Sequence, residues 1–489
     1  HYVDNSLGSN GDGSSWSSAW NSLTNVGTNG GILSPGDVVY LSGGASGSTQ
    51  TYTLSSAWSP AGGTNSARIT YKIGQDSSHN GTVRFAGPAS GFSDWLTTCS
   101  EVNISGDAGD GNKHFVIADG TGGNGIDHGW WGDGSHDVRV SYVDFGTLQD
   151  YPVHLNSTSS YPNGVSGIEI DHCKFYKINR LDSTQTREDG VMYVIGDGSA
   201  FDNVLIHDNE LNIERIGDGT GDDGIQAVGG GVSFYNNRVI SHQTNLYAYS
   251  QHQDGLQPSG AVNVKIYNNY FENIANYAVF GDAYGGNFSH FYVFNNVIVI
   301  NGSDLQNGNA PKGIAIGPDG GAFGFLGYWP SFTDVIVANN LIVDYGSNHA
   351  AITLYDPGNP GDLPSTFTNC AVYNNVSVNS GGYSLENDPT YGVVANANNL
   401  LLTMANGTGH YVSYTQNQGP QADFHLVSAD ALFRGQGTNL TAMAGGVMTS
   451  DKDGVARPST GNWDIGPYQY ASASSLPTPG QLTGVRIGR

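Results

Sequence analysis

Three short segments set an aspartate and a glycine ahead of an apolar residue: Arg187-Glu-Asp-Gly-Val191, Gly221-Asp-Asp-Gly-Ile225 and His252-Gln-Asp-Gly-Leu256. Aligned on one another, they place Asp189, Asp223 and Asp254 in a single column, flanked by Glu188, Asp222 and His252. The column continues, with looser alignment, through Asn276 and Lys312 towards His349, while Gln226 and Gln257 each follow their aspartate by three residues. On stacked strands ~4.8 Å apart, the aspartates would stand ~5 and ~10 Å from one another. Like charges at those distances raise at least one carboxyl pKa and couple the titrations unless a cation relieves them. One Asp-Gly alone is an ordinary turn cap. Three in register, with further acids beside them, form the pattern of a site.

Two chemistries use such a column. In glycoside hydrolysis one carboxylic acid protonates the leaving oxygen while a second activates water or attacks carbon, at ~6.5–9.5 Å for inversion and ~5–5.5 Å for retention. Asp189, Asp222, Asp223 and Asp254 are then the catalytic candidates, and no cofactor is required. In elimination from a uronate, Asp189, Asp222 and Asp223 would instead hold Ca2+, and a lysine would remove the proton alpha to the carboxylate. Lys312 is the candidate base because it lies in the column, whereas Lys265 sits in an alternating Val-Lys-Ile-Tyr strand where an outward lysine is ordinary. Glu188, Gln226, His252 and Gln257 are candidate polar contacts to a sugar. Trp130, Tyr284 and Trp329, with Trp131, Tyr247, Tyr249 and Tyr328, are rings on which sugar faces could stack. The insert 302–333 is long for a turn, and long ordered loops are often functional.

A second repeat must position these residues. A short apolar run ending in an Asn pair recurs as Val232-Ser-Phe-Tyr-Asn-Asn237, Val264-Lys-Ile-Tyr-Asn-Asn269, Phe291-Tyr-Val-Phe-Asn-Asn296, Val335-Ile-Val-Ala-Asn-Asn340 and Cys370-Ala-Val-Tyr-Asn-Asn375. Val204-Leu-Ile-His-Asp-Asn209 and Ile168-Glu-Ile-Asp-His-Cys173 are variants of it. A fixed signature at variable spacing is what a solenoid produces when insertions are confined to loops. Each strand then pairs with its equivalent one coil away, and the second asparagines stack as a ladder. These residues predict an all-β fold, a right-handed parallel β-helix. Residues 15–27, with Trp16, Trp20 and Leu23 at near-helical spacing, predict an N-terminal capping helix, and Trp463-Asp-Ile-Gly-Pro-Tyr-Gln-Tyr470 a C-terminal cap on the last coil. The expected division is 1–110 for the N-terminal cap and first coils, 111–430 for the central helix and cleft, 431–470 for the last coil and cap, and 471–489 for a tail.

Composition narrows the partners. Only 12% of the 489 residues are charged and 71 are glycine, which suits many short strands and tight turns. With 18 Lys and Arg against 43 Asp and Glu, the net charge is −25, which disfavours nucleic acid and anionic membrane. A highly anionic polysaccharide is disfavoured likewise unless a cation bridges it. No apolar run reaches 18 residues. Cys99, Cys173 and Cys370 lack metal-ligand spacing and read as small buried hydrophobes. The opening residues already read as folded protein, so a mature secreted, extracellular form is expected.

The opening "YVDNSLGSNGDGSSWSSAW", the Asn-Asn coils and the closing "DKDGVARPSTGNWDIGPYQY" resemble the pectate-lyase-like superfamily of secreted bacterial β-helix proteins over nearly the whole chain. The resemblance implies that fold and a polysaccharide partner. It leaves the reaction open, because the superfamily includes lyases, hydrolases, epimerases and non-catalytic adhesins. Asp-Gly-Val followed by Asp-Asp-Gly-Ile-Gln also resembles the metal-binding pattern of one pectate lyase family, which carries an aspartate where this chain has Gln226. Hydrolysis of a largely neutral glycan is therefore the leading expectation, calcium-assisted elimination the second, and a non-catalytic glycan-binding or structural β-helix the third.

Overall fold

The computed structural model describes residues 1–117, 124–146, 148, 150–157, 165–176, 178–179, 190–196, 201–213, 215–216, 223–226, 230–241, 254–274, 276–282, 286–300, 312–317, 330–345, 350–354, 365–414 and 422–471. Two compact units divide the chain, His1–Asp218 and Gly219–Arg489.

In the first unit, strands that return once per coil build three parallel sheets. Sheet A contains Tyr2–Val3, Val38–Leu41, Ile69–Ile73, Ser100–Ser105, His136–Ser141, Val165–Asp171 and Phe201–His207. Sheet B runs from Thr49–Thr53 to Glu210–Asn212, and sheet C contains Trp130–Trp131, Val153–Ser157 and Gly190–Gly196. Alternation sets the register. Val138 and Val140 pair with Ile168 and Ile170, which pair in turn with Val204 and Ile206, and all six are fully buried.

The second unit repeats the plan. Its sheet A contains Val232–Tyr235, Val262–Tyr267, Phe288–Phe294, Ser331–Ala338, Ala371–Tyr373 and Ala395–Ala397. Its sheet C contains Asp223–Gln226, Leu256–Gln257, Tyr277–Asp282, Lys312–Gly317, Ala350–Leu354 and Gly382–Leu385. Sheet B runs from Arg238–Ile240 to Leu400–Leu402. In-register parallel pairing one coil apart is the arrangement of a parallel β-helix, and it fits the right-handed form expected from the sequence.

The two asparagines of each pair do different work. The first turns the corner between sheets A and B with positive φ, 56° at Asn236, 58° at Asn268 and 57° at Asn339, a conformation asparagine tolerates well. The second is buried and forms the ladder. Asn296 N–H donates to Asn340 Oδ1 at 2.9 Å, and Asn340 N–H to Asn375 Oδ1 at 2.9 Å. Each side-chain amide also donates back to a carbonyl of the preceding coil, Asn340 Nδ2 to Val293 O at 3.0 Å and Asn375 Nδ2 to Val337 O at 3.0 Å. The ladder goes one rung beyond the sequence expectation, to Asn399. Asn398-Asn399 is itself an Asn pair, preceded by a weakly apolar run that hides the signal.

The two ends differ from expectation. In place of one helix over 15–27 the chain makes two 3-10 turns, Trp16–Ser18 and Leu23–Asn25. Serine side chains compete for the backbone there: Ser15 Oγ accepts from Ser18 N–H at 3.2 Å. Trp20 is extended and fully buried, exchanging backbone hydrogen bonds with Tyr2 and Asp4 along the edge of the first strand. At the other terminus, Trp463 does not close the last coil. Leu440, Met448 and Trp463 pack instead on the outer face of sheet A in the second unit, against Tyr292, Phe294, Ile336 and Ala338. Phe424, Phe433 and Ile465 cover Val297, Val299, Leu341 and Val343 of sheet B in the same way. These strands are apolar on both faces, so a second layer must cover the outside. The first asparagines help to clasp it: Asn295 Nδ2 donates to Ser450 O and Asn374 Nδ2 to Thr438 O, both at 2.9 Å.

Candidate functional site

Sheet C of the second unit carries the described part of the aspartate column. Ile225 pairs with Leu256, which sets Asp223 beside Asp254 on the next coil. Asp254 N–H donates to Asp223 Oδ1 at 2.7 Å, and Asp254 Oδ1 accepts from Tyr277 N–H at 2.8 Å and Asn276 Nδ2 at 3.0 Å. The aspartates therefore cap the backbone of the following coil, and they are only 3% and 0% exposed. The glycine after Asp254 has its own reason. A Cβ on Gly255 would meet Ala278 O at 2.4 Å, so the coils approach too closely there for any side chain. Beyond Asp254 the column passes to Tyr277, not Asn276, and then to Lys312, whose backbone pairs with Tyr277. Gln226 and Gln257 are in register, and Gln257 is buried although strand alternation suggests an outward side chain.

The corresponding sheet of the first unit assembles a group of which only the two tryptophans, Trp130 and Trp131, are among the candidates named from sequence. Trp130 pairs with Val153 and both are fully buried, so Trp130 belongs to the core and cannot stack on a ligand. Alternation turns its neighbour outward. Trp131 is half-buried, paired in register with His154 and stacked on it at 3.8 Å with 9° between planes. Asp133 clamps both rings, accepting from Trp131 Nε1 at 3.2 Å and contacting His154 Nδ1 at 3.0 Å. His128 stands edge-on to Trp131 at 4.5 Å. Its Nδ1 lies 2.8 Å from Asp94 and 3.7 Å from Asp127, and its Nε2 lies 3.6 Å from Asp150. Burial works against the charged imidazole. Asp150 and Asp94, with Asp127 behind them, outweigh that penalty and push the His128 pKa up to about 9.

The result is a half-buried indole, one face covered by the buried His154 ring, beside partly exposed carboxylates around an imidazole. Asp94, Asp127 and Asp150 keep 31%, 32% and 27% of their side-chain surface. The signal that could have found it is the run His128-Gly-Trp-Trp-Gly-Asp133, in which the outward positions carry the chemistry.

Other candidates fare differently. Glu188, Asp189, Asp222, His252, Tyr284 and Trp329 lie outside the described residues, as do Tyr247, Tyr249, Tyr328 and His349. Of the proposed Ca2+ ligands only Asp223 lies among the described residues, and its Oδ1 accepts the Asp254 N–H. Glu169, Asp171 and His207 on sheet A bring ligand atoms within 4.8 Å of one another. Arg139, however, binds both Asp171 oxygens at 2.8 Å, so the cation at that cluster is a guanidinium. Cys99, Cys173 and Cys370 are free and buried, as the sequence suggests.

No known protein family and no curated protein matches the chain. Among solved structures it is similar to pectate lyase Pel9A, with 13% identity over 96% of this chain and 97% of that one and a TM-score of 0.40. A rhamnogalacturonan lyase shows 12% identity over 87% and 95% with a TM-score of 0.46. The catalytic domain of a GH87 alpha-1,3-glucanase shows 13% over 81% and 68% with a TM-score of 0.39. These likenesses leave the reaction open. The parallel pairing of the coils in each unit is that of a parallel β-helix.

Proposed function

We propose that the protein is a secreted polysaccharide-degrading enzyme, a glycoside hydrolase acting on a largely neutral glycan at sheet C of the first unit. The observation that carries this reading is the Trp131–His154 stack rimmed by Asp94, Asp127, Asp133 and Asp150. The part of the Trp131 ring left exposed beside His154 offers apolar contact to the C–H groups of a sugar while carboxylates accept its hydroxyls. The same carboxylates would repel a uronate. Asp94 and Asp150 contact opposite nitrogens of His128, so the ring stands between them. In this reading Asp223 and Asp254 act on the fold, holding the coils of sheet C together.

A second reading, elimination from a uronate, has one observation in its favour. The Lys312 backbone lies in the same column as Asp223 and Asp254, two coils beyond Asp254. Incubation with neutral and acidic polysaccharides, with and without chelator, separates the two. New reducing ends without the ultraviolet absorbance of an unsaturated uronate, indifferent to chelator, are expected. A chelator-sensitive ultraviolet product would refute hydrolysis. Glycan retention without turnover would leave a binding protein. Asp150→Asn is expected to lower kcat at least about a hundredfold, and an unchanged rate would move the chemistry elsewhere.

A further inference from the structure

The outer face of sheet A in the second unit meets the turn at 442–445 in a cleft of about 550 Å3. Three successive coils place a polar residue at one register along its wall: His290 beside Asp334, and Asp334 beside Asn369. All three have left-handed backbone, with φ of 53°, 56° and 54°. Elsewhere in this column Gly231 and Asn263 meet the same requirement with the residues that tolerate it best. Histidine and aspartate also tolerate this conformation, as Asp137 does at the same register in the first unit, and at 290 and 334 both line the cleft. Tyr292 donates a hydrogen bond to Asp334, and His290 Nε2 lies 3.8 Å from the same carboxylate. Ile336, Tyr373 and Met443 supply the apolar side.

Polar groups repeating every ~4.8 Å beside an apolar wall suit a ligand with hydroxyls on its edge and C–H groups on its face. The carboxylate of Asp334 and the net charge of −25 both disfavour an anionic occupant. We propose that this cleft is a glycan-binding site for a neutral, disaccharide-sized segment, built on residues distinct from the Trp131 group and able to bind whether or not the protein cleaves glycan. Asp334 is its principal hydroxyl acceptor, with His290 and Asn369 on either side of it. Its volume lies within the ~300–1,000 Å3 usual for small-ligand sites.

The test uses the full chain and two variants, Asp334→Asn and His290→Asn. Asparagine keeps the left-handed backbone at either position, and it can still accept the Tyr292 hydrogen bond, so both variants should melt with the wild-type midpoint. Neutral disaccharides of gluco, manno and galacto configuration, and digalacturonate, would be titrated by calorimetry and by ligand-observed NMR. Saturable binding of at least one neutral disaccharide is expected, weakened about tenfold or more in Asp334→Asn, the scale of one charge-assisted hydrogen bond. Equal binding by wild type and both variants would overturn the proposal, as would preference for the uronate or no binding at all. Turnover of a soluble glycan, if the enzyme reading holds, should be unchanged in both variants. Failure of that reading and failure of this site are therefore seen separately.

Discussion

Replacing Asn340 by alanine tests the asparagine ladder most directly. Asn340 is fully buried. Its Oδ1 accepts from Asn296 N–H at 2.9 Å and Asn296 Nδ2 at 3.0 Å, and its Nδ2 donates to Val293 O and Asn375 Oδ1, both at 3.0 Å. The variant removes all four bonds and leaves the Asn296 N–H facing an apolar methyl. A buried donor without a partner costs about 1–3 kcal/mol, and the missing side-chain volume adds to it, so about 3 kcal/mol is expected in total. Coils of a solenoid contact mainly their neighbours, so the loss should be local. Hydrogen exchange should accelerate about a hundredfold at amides of 294–298 and 338–342, with little change in the first unit. Asn399→Ala is the control. Asn399 also makes four side-chain hydrogen bonds, accepting from Asn375 N–H and Nδ2 and donating to Val372 O and Asn396 Oδ1, but it is only half-buried and water can replace part of what it supplies, so about 1 kcal/mol is expected. Urea unfolding checks the magnitudes. A change below about 0.5 kcal/mol in Asn340→Ala, with unaltered exchange, would show that the ladder accompanies the fold without holding it.

Three further outcomes follow from the two faces of sheet C. Asp223→Asn keeps an oxygen for the Asp254 N–H, so melting should stay near wild type and turnover within about tenfold; a thousandfold loss in kcat would return the chemistry to the aspartate column. Asp254→Ala strands the Tyr277 N–H and should cost about 1–3 kcal/mol of stability by denaturant titration, whatever its effect on activity. His128 has a folded pKa raised to about 9 against an ordinary 6.5. Its charged form therefore contributes stability in full below about 6.5, and the contribution is lost as pH rises through 9. An NMR titration of its ring should show this midpoint, with Asp150→Asn lowering it, and a midpoint at or below 6.5 would refute the assignment.

Much of the fold is legible without coordinates because a solenoid writes its period into the chain. The second asparagines read correctly as rungs, since a buried amide can accept from one coil and donate to another, while the left-handed corner made by the first is seen only in the folded chain. The strand registers follow from alternating Val and Ile at positions such as Val138, Ile168 and Val204. The run Val297-Ile-Val-Ile300 already signals cover on both faces, but only the folded chain shows that residues 424–465 provide it by folding back along the sheets. The helix expected over 15–27 fails because spacing of Trp16, Trp20 and Leu23 says nothing about serine side chains taking up the backbone.

The candidate site divides along the same line. Sequence alone brings Asp223 and Asp254 together and puts Lys312 in their column, because these depend on coil register. It cannot say whether a carboxylate on that column faces solvent or the next coil's backbone, and the hydrogen bonds at Asp254 N–H and Tyr277 N–H answer that. Nor can it join Asp94, Asp127, His128, Asp150 and His154, which come from three coils and meet only when the coils stack. Periodicity along a chain encodes which residues share a wall. Side-chain direction at a corner, and contacts across loops of unequal length, are decided only when the coils close on one another.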